Sequence, residues 1–96
     1  MRHTYVVTYD ISDPKRLRKV FRLMLGYGDH LQLSVFQCEL NPRELVELKH
    51  ALGDLIHHNE DQVLFANLGP VEGRGSETIE SLGRAYIDPE RTAIVA

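Results

Sequence analysis

The sequence predicts an α+β domain of ferredoxin-like type, a βαββαβ sandwich with an extra strand at its C-terminus. Three observations lead there. Segments of strand composition alternate with two segments of helical periodicity. The chain has 96 residues, 43% of them hydrophobic, which is enough for one core and too little for two. And the strands carry apolar residues on both faces, although two helices can cover only one. A sheet left half-covered needs a second cover, and a symmetric copy of the same chain is the simplest. A homodimer is therefore expected.

Residues 4–11, TYVVTYDI, are rich in Thr, Tyr and Val and read as a strand. Tyr5, Val7 and Tyr9 fall on one face; Val6, Thr8 and Asp10 fall on the other. Asp13-Pro14 then opens a helix, Asp as N-cap and Pro at the first helical position. Leu17, Val20, Phe21, Met24 and Leu25 recur at helical spacing, and GYG at 26–28 stops the helix. Residues 31–40, LQLSVFQCEL, read as a second strand, with Leu33 and Val35 on one face and Phe36 and Cys38 on the other. One strand of the expected four is not placed separately. Either this segment bends into two, or the tail supplies the fourth.

Asn41, Pro42 and Glu44 have the order of a capping box, so a second helix starts there. Its buried stripe is Leu45, Leu48, Leu52, Leu55 and Ile56. Residues 63–68, VLFANL, read as a strand. Residues 69–75 accumulate Gly and Pro and read as loop. Residues 76–83 could hold a short helical turn, and TAIVA at 92–96 ends the chain as a short strand. Residues 1–96 thus form one domain, in which 69–96 supply a loop and a strand that pairs with the partner subunit.

Bulk properties narrow the class. A formal net charge of −3 argues against a wholly basic nucleic-acid binder but leaves room for a local basic face. The lone Cys38 forms no intrachain disulfide and reads as a small buried hydrophobe. No apolar run reaches membrane-spanning length and no signal peptide is visible, so a cytoplasmic protein is expected.

Two features could carry chemistry. Asp10 ends the first strand, ahead of five cations, Lys15, Arg16, Arg18, Lys19 and Arg22. It reads either as a turn residue or as half of a metal site completed by a two-fold axis. Paired carboxylates must share a proton or a cation, and Mg²⁺ accepts one or two carboxylates together with phosphate oxygens. Such a site would hydrolyse a phosphodiester by metal-activated water. The cations form the second feature. Lys15, Arg18, Lys19 and Arg22 share the helix face opposite the apolar stripe, with Arg16 beside them and no acid interleaved. This is either a solvated face or a surface for a nucleic-acid backbone. His50, Asp54, His57 and Asp61 follow no established metal spacing and read as solvated.

The stretches YDISDPKRLRKV, YG and QLSVFQ, in that order and followed by a short terminal strand, resemble the CRISPR-associated protein 2 family, over roughly residues 4–68 well and the tail loosely. The resemblance implies a homodimer with C-terminal strands paired across subunits. It implies a role in spacer acquisition, in which the dimer bridges dimers of the adaptation integrase and holds DNA. It also implies Mg²⁺-dependent endonuclease activity on RNA or DNA. Asp10 matches the family's metal-binding aspartate, Tyr9 the tyrosine beside it, and Phe36 the aromatic of the second-strand motif. Arg16 and Arg18 match the basic residues thought to meet nucleic acid. His30 stands where the family often has Arg, so a phosphate contact there would strengthen in mild acid. Without the resemblance, a small ligand-binding regulatory domain of the same topology stays open.

Overall fold

The computed structural model describes residues 1–72 and 79–84. Its elements run β1 (His3–Asp10), α1 (Pro14–Leu25), β2 (Gly28–Gln32), β3 (Val35–Leu40), α2 (Pro42–Leu55) and β4 (Gln62–Pro70). The order is βαββαβ, and the single sheet has strand order β2-β3-β1-β4 with every neighbour antiparallel. The ferredoxin-like sandwich holds. Of the segment 76–83, expected to hold a short helical turn, residues 79–83 are described and none is helical, while 76–78 and the strand expected at 92–96 lie outside the described residues.

The fourth strand comes from a break in LQLSVFQCEL. The chain turns at Leu33 and Ser34, and β2 begins earlier than expected, at Gly28. Leu33 is not a strand residue: it has φ +21° and is 90% exposed. Gly28 does more than end a helix. A Cβ there would meet the Cys38 Sγ, and would lie 2.5 Å from the Gln37 carbonyl oxygen. Only glycine lets β2 approach β3 this closely. β4 also runs to Pro70, into the stretch expected to be loop.

The helix starts are as the local sequence dictates. Asp13 Oδ2 accepts from the Arg16 backbone N–H at 2.9 Å, with Pro14 in the first turn. Asn41 Oδ1 accepts from Glu44 N at 2.8 Å while Glu44 Oε1 accepts from Asn41 N at 2.9 Å, completing the capping box. The Asn41 backbone bond, and then Arg2, hold the Glu44 carboxyl below its usual range. Arg2 donates to Glu44 and to the Glu39 carbonyl, tying the start of the chain to the start of α2.

Both helices cover one face of the sheet. Tyr5, Val7, Tyr9, Phe36, Cys38 and Leu40 from the central strands meet Val20 and Met24 of α1 and Leu48 and Leu52 of α2. The stripe on α1 is narrower than its periodicity implied: Leu17 and Leu25 are 36% and 52% exposed. The opposite face carries Val6, Thr8, Val35, Leu64 and Ala66, brought side by side by register. All five are half-buried or exposed.

Candidate nucleic-acid interface

The basic helix divides into two populations. Lys15, Arg18, Lys19 and Arg22 are exposed, and none is ion-paired with a described residue. Arg16 is different. Its Nε donates to Asp61 Oδ2 at 2.8 Å, and its Nη2 reaches Glu60 Oε1 and Ser12 Oγ, both at 3.2 Å. The acids missing from the helix face are supplied by the turn before β4. Asp61 also accepts from the backbone N–H groups of His57 and Ser12, at 2.8 and 3.0 Å. The Arg16 guanidinium, and then those two N–H groups, hold its carboxyl far below the usual range. Arg16 thus locks α1 to the end of α2, which leaves its guanidinium little freedom to meet phosphate.

Asp10 stands apart from this network. It is the last residue of β1, it is exposed, and no hydrogen bond or ion pair joins its carboxylate to a described residue. Asp13 is spent on the helix cap, whose N–H bond holds its carboxyl below the ordinary range. The expected division between the two aspartates is therefore present. Tyr9 lies one residue away but faces the other way, as adjacent strand residues must. It is buried against Phe36, ring centroids 6.2 Å apart, and burial raises its hydroxyl pKa. The structure does not bring Tyr9 and Asp10 together on one surface.

His30 is engaged rather than free for phosphate. Its Nε2 lies 2.8 Å from the Leu33 carbonyl, and its ring meets Phe21 and Phe36 with centroids 5.0 Å away. Phe36 is fully buried, in keeping with a structural motif residue. His50 and Asp54 form an exposed pair 3.6 Å apart, His57 lies past the helix end, and Asp61 belongs to Arg16. Among the described residues no three His, Cys, Asp or Glu side chains converge on one metal position. Asp10 offers one exposed hard oxygen donor set, which suits Mg²⁺, and a second carboxylate would have to come from another copy.

Sequence reasoning missed a cleft of about 480 Å³ beside this helix, lined by Tyr9, Leu17, Arg18, Phe21, Arg22, Leu33 and Ser34. Its one legible signal was that Leu17 and Phe21 lie a turn apart next to Arg18 and Arg22. The β2–β3 turn that closes it had no recognisable signature.

A family model described as CRISPR associated protein Cas2 matches residues 2–72. This chain belongs to the Cas2 family. The match spans all six elements, the α1 cations and Asp10. Over 97% of its length the chain is 47% identical to a Rhodospirillum rubrum protein named CRISPR-associated endoribonuclease Cas2 1, covering 90% of that protein. It is 38% identical to a Geobacter sulfurreducens protein of the same family name, with 99% of each covered. Among solved structures, Streptococcus pyogenes Cas2 superposes with a TM-score of 0.73 at 38% identity, covering 83% of this chain and 99% of that one. A Thermus thermophilus protein titled hypothetical gives a TM-score of 0.78 at 30% identity, covering 93% of this chain and 99% of that one. The Cas2 likeness thus rests on sequence and fold together. No helix among the described residues is long and apolar enough to cross a membrane.

Proposed function

We propose that this Cas2-family protein acts in CRISPR spacer acquisition as a homodimeric nucleic-acid-binding bridge between dimers of the adaptation integrase. The observation that carries this reading is the run of Lys15, Arg18, Lys19 and Arg22, all exposed and unpaired among the described residues of an acidic chain. Like charges on one helix face repel unless an anion answers them, and a phosphate backbone is the anion that matches their extent. The apolar residues Val6, Val35, Leu64 and Ala66 on the uncovered face support a second copy as the cover of the open sheet face. Charge reversal at Lys15, Arg18 and Lys19 tests it. DNA binding should weaken and the slope of log K against log salt should fall by roughly 2–3. Unchanged binding by a folded variant would defeat the proposal.

A second reading is favoured by Asp10, whose exposed carboxylate has no partner among the described residues. Its curated relatives carry the name endoribonuclease, and we infer the same class of activity, on RNA or DNA, for this chain. Asp10 from each of two copies would hold Mg²⁺. When bound, the ion supplies activation of water and neutralisation of phosphate charge. The chain itself would orient the substrate through the α1 cations. Cleavage of labelled RNA and duplex DNA that needs Mg²⁺ and disappears in Asp10→Ala is the expected result. Equal cleavage by wild type and variant would remove Asp10 from the reaction.

A further inference from the structure

The exposed carboxylate of Asp10 stands on a backbone that is held from several sides. Its neighbours Tyr9 and Ile11 are buried in the core, and the Tyr9 N–H donates to the Ser34 carbonyl at 3.1 Å. Asp10 is also the last residue of β1 to pair with β4, opposite Gln62. Past that pair the ladder stops, and the tie is continued by a side chain. Asp61, the residue before Gln62, accepts through Oδ1 from the Ser12 backbone N–H at 3.0 Å, two residues beyond Asp10. Its Oδ2 accepts from the His57 N–H and from Arg16 Nε, both at 2.8 Å, and Arg16 Nη2 lies 3.3 Å from Oδ1. All of these partners donate, and the Asp61 side chain has no exposed surface. A carboxylate withdrawn from water keeps its charge only where such donors offset the lost hydration, and the result is a fixed geometry.

We propose that Asp61, gripped by Arg16, is a positioning residue for metal binding at Asp10: through the Ser12 N–H and the start of β4 it aims the Asp10 carboxylate at the cation that two copies share. The inference rests on the metal-site reading above and adds to it two residues that touch neither ion nor substrate. It also gives Arg16 a part in the site that is not a phosphate contact. The physical demand is clear. A small cation that requires near-octahedral geometry tolerates little error in the approach of each carboxylate. A side chain from each copy must therefore leave a backbone fixed to within about 0.5 Å. Loss of supports outside the ligand set typically lowers metal affinity by about 10–100-fold. Asp61 supports the backbone rather than the ligand atoms, so its effect belongs at the lower end.

The test measures metal affinity directly, without nucleic acid. Mn²⁺, which takes the same oxygen ligands as Mg²⁺, is the probe, and loss of its free-ion electron paramagnetic resonance signal reports binding. The full-length protein is used, at a temperature where circular dichroism shows every variant folded. Asp10→Ala locates the site. Asp61→Asn keeps the size of the side chain, but its amide nitrogen must face N–H donors whichever way the group is turned. Arg16→Lys keeps the charge and loses the planar fork. Glu44→Ala controls for lost stability alone, because it removes the α2 capping box and the Arg2 pair at the far end of β1 from Asp10. Wild type should bind Mn²⁺, and Asp10→Ala should not. Asp61→Asn should bind about tenfold more weakly, and Arg16→Lys should weaken in the same direction. Glu44→Ala should match wild type in affinity despite a lower thermal midpoint. Wild-type affinity in Asp61→Asn or Arg16→Lys would overturn the proposal. So would equal weakening in Glu44→Ala, which would reduce the clamp to general stability. Failure of wild type to bind Mn²⁺, or undiminished binding by Asp10→Ala, would overturn the underlying metal-site reading as well.

Discussion

Arg16 and Asp61 are 45 residues apart in sequence, yet the guanidinium Nε lies 2.8 Å from the carboxylate, whose side chain has no exposed surface. This contact fixes the N-terminal turn of α1 to the segment between α2 and β4, on either side of Asp10. It also changes the reading of the basic helix. Five cations in sequence become four available ones and a fifth that holds the scaffold.

The lock gives stability a defined acid limb. The carboxyls of Asp61, Asp13 and Glu44 are all held below their ordinary range in the folded chain. In the unfolded chain they take up protons near pH 4. Their stabilising contribution is therefore fully present above that pH and is lost as pH falls through the folded values. Thermal midpoints measured from pH 7 down to pH 2.5 should fall steeply below about pH 4. Asp61→Asn should have a lower midpoint at pH 7 and a shallower acid limb, because it leaves the Arg16 charge without its main partner. A limb as steep as that of wild type would show that Asp61 does not set it.

Two glycines should respond with opposite sign. Gly28 faces Cys38 and the Gln37 carbonyl, so Gly28→Ala must push β2 from β3 and should destabilise by about 1–3 kcal/mol. Gly53 sits within α2, and nothing lies within 4 Å of a Cβ built there. Gly53→Ala should stabilise by about 0.5–1 kcal/mol through lost unfolded-state entropy and better helix propensity. Chemical denaturation of both variants checks the pair; the same sign for both would contradict the packing described.

Cys38 should be silent in the folded protein. Burial, with the nearby Asp29 charge second, pushes its thiol up to about 12. A thiol at its ordinary value of about 8.5 would be partly ionised at pH 8 and would react readily. Titration with a thiol reagent at pH 8 should find no rapid reaction in native protein and one equivalent in denaturant. Rapid native labelling would mean that β2 opens from β3.

What was legible in the sequence was local. The Asp13 cap and the Asn41–Glu44 box each join residues three apart in sequence, and the alternation of Tyr5, Val7 and Tyr9 needs no partner to be seen. The β2–β3 turn was not legible, because Leu33-Ser34 lacks Gly, Pro, Asn and Asp, and Ser34 alone is a weak turn signal. The partners of Arg16 were hidden for another reason. Glu60 and Asp61 precede a strand as any polar turn might, and no spacing rule joins them to a helix so distant in sequence. The cleft was hidden by both causes, since one wall is helix and the other is that unmarked turn.

Arg16 and Arg18 provide the most direct separation of scaffold from interface. They are two residues apart on one helix and chemically identical, and a count of positive charge treats them alike. The structure does not: Arg16 is bound to Asp61 and Glu60, while Arg18 is exposed and lines the cleft. A cation already neutralised within the fold releases few counterions when phosphate arrives, whereas a free one contributes close to a full charge. Arg18→Ala should therefore lower the salt slope of DNA binding by about 1 and leave the thermal midpoint nearly unchanged. Arg16→Ala should do the reverse, lowering the midpoint by several degrees with little change in slope. If Arg16→Ala instead flattens the salt dependence at unchanged stability, the lock opens on binding, and Arg16 belongs to the interface after all.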